Sequence, residues 1–162
     1  MLAVAGVTTE TEGDQVFERI VVGTDGSETA TAAVRQAIEL AKLSNAKLDL
    51  VAAFEPVPQS RLREEQQEVP GDIQYAVGPR EDVNAILETA AGIAKQEGLD
   101  AESYPREGDP ADAILDVAEE IGADLIVVGN KGMTGAKRFL LGSVPNKVSH
   151  HAPCGVLIVR TT

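Results

Sequence analysis

The chain has 162 residues, 43% hydrophobic and 25% charged, which fits one ordinary domain and excludes a disordered chain. Aromatic residues make up 3% with no Trp, so the core is aliphatic and base stacking on single-stranded nucleic acid is disfavoured. The net charge of −12 argues against DNA and anionic membranes, and no apolar run approaches the about 18 residues of a membrane span.

Residues 1–17 have no clear period and read as a mobile extension, leaving a domain over 18–162. Arg19–Thr24 holds the apolar run Ile20, Val21 and Val22 and ends at Asp25-Gly26-Ser27, a buried strand with a turn after it. Ser27 suits the cap of a helix and Glu28 its first turn. Ala30, Ala33, Val34, Ala37, Ile38 and Ala41 then share one helical face. Leu48, Leu50 and Val51 to Ala53 form a second strand. Residues 54–80, with Pro56, Pro58, Pro70 and Pro79, read as a long connection with room for one short helical piece.

Helical period returns with Val83, Ile86, Leu87, Ala90, Ile93 and Ala94, and residues 101–106 are a weak third strand. Asp109-Pro110 opens a helix as cap and first position, its inner face is Ile114, Val117, Ala118 and Ile121, and Gly122 ends it. Leu125–Val128 is a fourth strand, 129–142 a Gly-rich loop, Ser143–His150 a short helix and Gly155–Val159 a fifth strand. The last strand is continuously apolar and reads as an edge, which invites pairing with a second copy. Alternating strands and helices imply a parallel sheet with helices on both faces. In such sheets a ligand sits at the carboxyl ends of the strands, where the strand order reverses. If strands one and four are neighbours, the loops after them share that crevice.

All acidic residues lie at or before Asp124, whereas Lys131, Lys137, Arg138, Lys147 and Arg160 follow it. That fits a half-buried final segment with no place for acids. It also fits an anion site on an acidic protein, which is the sharper reading. Gly129-Asn130-Lys131-Gly132 and, nine residues on, Gly142-Ser143 lie within this segment. Glycines let backbone N–H groups approach a phosphate, and Gly142-Ser143 opens a helix whose first N–H groups attract anions. By themselves these glycines fit a phosphate cradle and a flexible surface loop equally. They match neither a Walker A loop nor the dinucleotide Gly-x-Gly fingerprint.

Gly-x2-Gly-x9-Gly-Ser resembles the nucleotide loop of the universal stress protein family. Val21-Val22-Gly23-Thr24-Asp25-Gly26-Ser27 resembles that family's opening and Ala152-Pro153-Cys154-Gly155-Val156-Leu157-Ile158-Val159-Arg160 its close. Gly108-Asp109-Pro110 and Ala123-Asp124-Leu125-Ile126-Val127-Val128-Gly129 fit too, so the resemblance covers about residues 18–160. It implies an α/β fold with five parallel strands in the order 3-2-1-4-5 and a homodimer through strand five. It implies a stress-response protein that binds ATP or AMP, with Mg²⁺ or Mn²⁺ at the phosphates, or cyclic AMP as in some relatives. Carried onto this chain, Thr24 and Asp25 approach the nucleoside, and the backbone near Ala53 and Val128 lines the adenine pocket. Gly129, Asn130, Gly132, Gly142, Ser143 and Val144 hold ribose and phosphates. Pro145 departs from the family pattern, which has Ser, Thr or Ala there; it supplies neither N–H nor hydroxyl. Lys137 and Arg138 are placed to compensate with charge.

No catalytic set is expected. Asp25 reads as a ribose or metal contact rather than a general base, because no spacing ties a second carboxylate or His to it. His150 and His151 are adjacent and point to different sides of a helix, so they read as helix-end residues rather than metal ligands. Cys154, the one cysteine, reads as a small packed residue; a single Cys also excludes an internal disulfide and fits a cytoplasmic protein. Ser27 and Ser143 lack a hydrolase elbow. The rival expectations are a slow ATPase on the same fold and a nucleotide-free dimeric interaction module.

Overall fold

The computed structural model describes residues 16–56, 79–131 and 141–161. The expected short helical piece and most of the extension, residues 1–15, lie outside them, as do Gly132, Lys137 and Arg138. Phe17, assigned from sequence to the extension, is partly buried against the core.

The elements are β1 (Arg19–Gly23), α1 (Glu28–Ser44), β2 (Lys47–Phe54), α2 (Pro79–Gln96), β3 (Ala101–Glu107), α3 (Pro110–Ile121), β4 (Leu125–Gly129), α4 (Ser143–His151) and β5 (Gly155–Val159). They form one five-stranded sheet in the order β3-β2-β1-β4-β5. Every neighbouring pair is parallel, with Ile20 opposite Leu48 on one side and Leu125 on the other. β1 and β4 are therefore neighbours, and β5 is an edge.

Both faces of the sheet are covered, which is why the central strands are apolar throughout rather than alternating. Ile20, Val22, Leu48, Leu50, Leu125 and Val127 pack under α1 and α2. Val21, Val51, Ile126 and Val128 pack under α3 and α4. Full burial of each Val, Leu or Ile contributes about 1.5–3 kcal/mol, so these strands hold most of the fold together.

The helix boundaries follow local chemistry. Ser27 accepts a hydrogen bond from the Ala30 N–H and caps α1, whose buried stripe holds the six residues expected. Asp109 accepts from the Asp112 N–H, Pro110 takes the first turn of α3, and Gly122 ends it at φ 66° in the left-handed region. On α2 only Val83, Leu87, Ala90 and Ala94 of the expected stripe are buried. Ile86 and Ile93 instead line an open groove between α1 and α2. No helix among the described residues is long and apolar enough to cross a membrane.

Candidate functional site

After β1 the chain turns to α1 on one face of the sheet; after β4 it runs to α4 on the other. The carboxyl ends of these two strands therefore part, and a cleft of about 100 Å³ opens there. Val51, Ala52 and Ala53 from β2 and Val128 from β4 give it an apolar wall. Ile114 and Pro110 of α3 close one side, Val144 and Pro145 of α4 another. Thr24, Asp25, Gly129 and Lys131 bring polar groups to the same space. Mostly apolar walls with a few convergent polar groups are the usual make-up of a small-molecule site.

Glycine permits the close approaches that shape this cleft. A Cβ on Gly23 would collide with Ile114 Cδ1 and stand 2.9 Å from its Cγ1. A Cβ on Gly129 would stand 2.6 Å from Thr29 Cγ2 and 3.1 Å from the Thr29 carbonyl oxygen. So α3 sits directly on the end of β1, and the first turn of α1 on the end of β4.

The loop after β1 is held by its own side chains. The Thr24 N–H donates to the Val51 carbonyl at 2.9 Å and extends the ladder by one residue. Thr24 Oγ1 accepts from the Gly26 N–H at 3.2 Å and Asp25 Oδ1 from the Ser27 N–H at 2.9 Å. Asp25 is exposed at the rim, with one carboxylate oxygen committed to this turn.

The loop after β4 is rooted at Asn130. Its N–H donates to the Val159 carbonyl and its carbonyl accepts from the Gly142 N–H, both at 2.9 Å. These bonds hold the residue leaving β4 against the residue that caps α4. Gly142 has no side chain to cap the helix. Ser143 and Val144 begin α4, where helix geometry provides no internal acceptor for their N–H groups. Pro145 is buried in that first turn and has no N–H. Two helix-terminal donors therefore remain for an anion. Asn130 Oδ1 faces away from this role: it accepts from the Thr161 N–H at 3.1 Å and the Thr161 hydroxyl at 3.3 Å.

Lys147, one of the basic residues that follow the last acid in the sequence, meets acidic partners from earlier in the chain: its Nζ lies 2.7 Å from Asp112 Oδ1 and 3.4 Å from Asp109 Oδ1. The hydrogen bond to Asp112 chiefly raises the Lys147 pKa. The Asp109 carboxyl is held below its ordinary range, first by the Asp112 N–H and further by the Lys147 charge. Lys147 thus ties α4 to the start of α3 and is neutralised there. Lys131 lines the cleft, and Arg160 is exposed.

Sequence reading missed a polar cluster in the sheet. Asp49 is 1% exposed and receives Arg19 Nε at 2.9 Å and Nη2 at 3.1 Å. Tyr104 donates to Glu102 at 2.8 Å, and its phenol is pushed up to about 12, mainly by burial. The available signal was a lone Asp between Leu48 and Leu50, because a carboxylate inside an apolar strand requires a partner. The cluster braces the sheet away from the cleft. Cys154 is partly buried against the α3 side of the core, and that burial raises its thiol pKa, away from nucleophilic reactivity. His150 and His151 occupy the last turn of α4, both exposed. No group of three His, Cys, Asp or Glu side chains that could hold a metal occurs among the described residues.

Known proteins resemble the chain over nearly this whole span. The universal stress protein family matches residues 17–160. Universal stress protein YxiE of Bacillus subtilis is 34% identical over 158 residues, covering 90% of this chain and 100% of its own length. A universal stress protein crystallised in complex with cAMP aligns at 38% identity and a TM-score of 0.67, covering 90% of this chain and 99% of its own. The universal stress protein from Archaeoglobus fulgidus in complex with dAMP aligns at 25% identity and a TM-score of 0.60, covering 88% and 98%.

Proposed function

The chain belongs to the universal stress protein family, and from that premise we propose that it is a regulatory stress protein binding an adenine nucleotide in the cleft between β1 and β4. One observation carries this reading: the apolar cleft lies at the strand-order reversal and is flanked by the first turn of α4. Adenine occupies the wall formed by Ala53 and Val128, and ribose lies toward Thr24 and Asp25. Of the residues that the resemblance assigns to ribose and phosphates, Asn130 and Gly142 already donate their N–H groups within the protein, so the Ser143 and Val144 N–H groups carry most of the phosphate binding. Lys131, Lys137 and Arg138 supply positive charge.

ATP or AMP is the first reading. A specific observation favours a second, cyclic AMP: Pro145 removes a donor from α4, and a cyclic monophosphate asks for fewer donors than a triphosphate. The 38% identical relative in complex with cAMP supports the same form. Mg²⁺ or Mn²⁺ belongs with ATP. Among the described residues no group of three His, Cys, Asp or Glu side chains could hold it, so phosphate oxygens and water would supply most of its ligands.

Occupancy, not turnover, is the output. Among the described residues lining the cleft, no general base paired with a water-orienting residue occurs, and we read any hydrolysis as slow at most. Bound nucleotide alters a homodimer formed through the β5 edge, Gly155–Val159, in the cytoplasm. The test is to denature the purified protein and identify released small molecules by chromatography and mass spectrometry, then titrate any empty protein. Adenine nucleotide released, or bound at micromolar concentration, is expected. Neither release nor binding at millimolar ligand would contradict the reading and favour an interaction module.

A further inference from the structure

Thr161 lies two residues beyond β5, yet it is tied into the base of the β4 loop. Its N–H and hydroxyl both lie within reach of Asn130 Oδ1, and its hydroxyl is 3.0 Å from the Thr29 hydroxyl. A hydroxyl donates one proton. If Thr161 gives its proton to Asn130, Thr29 donates to Thr161, and the three side chains form one directed chain. Thr29 is 7% exposed, so its hydroxyl depends on this partner. Asn130 meanwhile holds Val159 through its N–H and Gly142 through its carbonyl.

We propose that Thr161 is a positioning residue: through Asn130 it fixes the distance between the end of β4 and the first turn of α4. This rests on the nucleotide reading for its consequence at the ligand, but not for its geometry. Loss of the Thr161 hydroxyl leaves Asn130 Oδ1 held by the Thr161 N–H alone and takes away the Thr29 partner, which loosens the Gly142 bond and misplaces the Ser143 and Val144 N–H groups. Phosphate binding then suffers more than nucleoside binding.

The experiment compares the parent, Thr161→Val and Thr161→Ser. Hydrogen exchange of the nucleotide-free proteins is read first. The Asn130 and Gly142 amides are expected to exchange about fivefold faster in Thr161→Val, to recover in Thr161→Ser, and the Val127 amide to stay unchanged. Unchanged exchange at Asn130 and Gly142 overturns the proposal. Titrations with AMP and adenosine follow. Thr161→Val is expected to weaken AMP about fivefold, adenosine by less, with Thr161→Ser restoring AMP. Faster exchange with unaltered AMP affinity also overturns it. A parent that binds no AMP refutes the nucleotide reading alone, since the exchange measurement still decides whether Thr161 holds the loop root.

Discussion

Gly129→Ala and Gly23→Ala add the same methyl group at the two ends of the cleft floor, and they should behave differently. At Gly129 the new Cβ meets Thr29 Cγ2 at 2.6 Å, the Thr29 carbonyl oxygen at 3.1 Å and its carbon at 3.3 Å. Comfortable carbon contacts lie at about 3.5–4.0 Å, so the gap to Cγ2 is short by about 1 Å. Rotating Thr29 away would give up its bond to Thr161 and leave the backbone contacts in place. Helix α1 must therefore shift from β4. Overpacking of this kind costs about 1–3 kcal/mol, and the loss of glycine entropy in the unfolded chain returns about 0.4–1 kcal/mol. The net is about 1–2 kcal/mol, or a Tm lower by about 2–8 °C for a domain this size. At Gly23 the clash is with Cδ1 and Cγ1 of the Ile114 side chain, and no backbone atom is among the near contacts, so a side-chain adjustment rather than a helix shift relieves it. The strain of about 1 kcal/mol roughly cancels the entropy gain, so Tm should stay within about 2 °C. Ile114 lines the cleft, so nucleotide affinity falls instead. Differential scanning calorimetry with a parallel nucleotide titration reads both. A Gly129→Ala variant as stable as the parent, or a Gly23→Ala variant less stable than Gly129→Ala, would refute the packing argument.

Asp109→Ala removes the cap of α3 and should lower stability at neutral pH by about 1 kcal/mol. The Asp109 pKa is depressed by folding, so its contribution is present above the ordinary carboxylate range and lost as pH falls below it. Melting temperatures of parent and variant should therefore converge in acid; a constant gap from pH 7 to pH 3 counts against the carboxylate's role. Pro145→Ser restores an N–H to α4 and should tighten ATP by about 1 kcal/mol, roughly fivefold, and cyclic AMP by less. Calorimetric titration checks it, and unchanged or weaker ATP binding would show that Pro145 is not what limits the triphosphate. Light scattering at about tens of micromolar, where weak dimers still form, should give a dimer mass. A monomer mass there contradicts pairing through β5.

Most elements were legible because parallel strands buried on both faces carry unbroken apolar runs, as in Ile20–Val22 and Leu125–Val128. Ser27, Asp109-Pro110 and Gly122 mark helix ends through chemistry contained within a few residues. Strand order is different in kind: no local pattern says that β1 lies between β2 and β4, and only the family resemblance supplied it. The same limit hid Lys147, whose partners stand 35 and 38 positions earlier, so a charge count along the chain treats it as free. Asn130 was legible as a loop residue, but its side-chain partner Thr161 carries no periodic or motif signal. Ile86 and Ile93 fit the helical stripe, yet a groove opens beside them, because periodicity gives the inward face but not how far the neighbouring helix reaches.

The central claim is that an adenine nucleotide occupies the cleft between β1 and β4. The most direct measurement is a titration of the isotopically labelled protein with AMP, ATP and cyclic AMP, following backbone amides by NMR. The account predicts saturable shifts at about micromolar ligand, concentrated at Thr24, Ala52, Ala53, Gly129, Ser143 and Val144, with β3 unmoved. Absence of shifts at millimolar ligand, or shifts confined to the groove between α1 and α2, would contradict it.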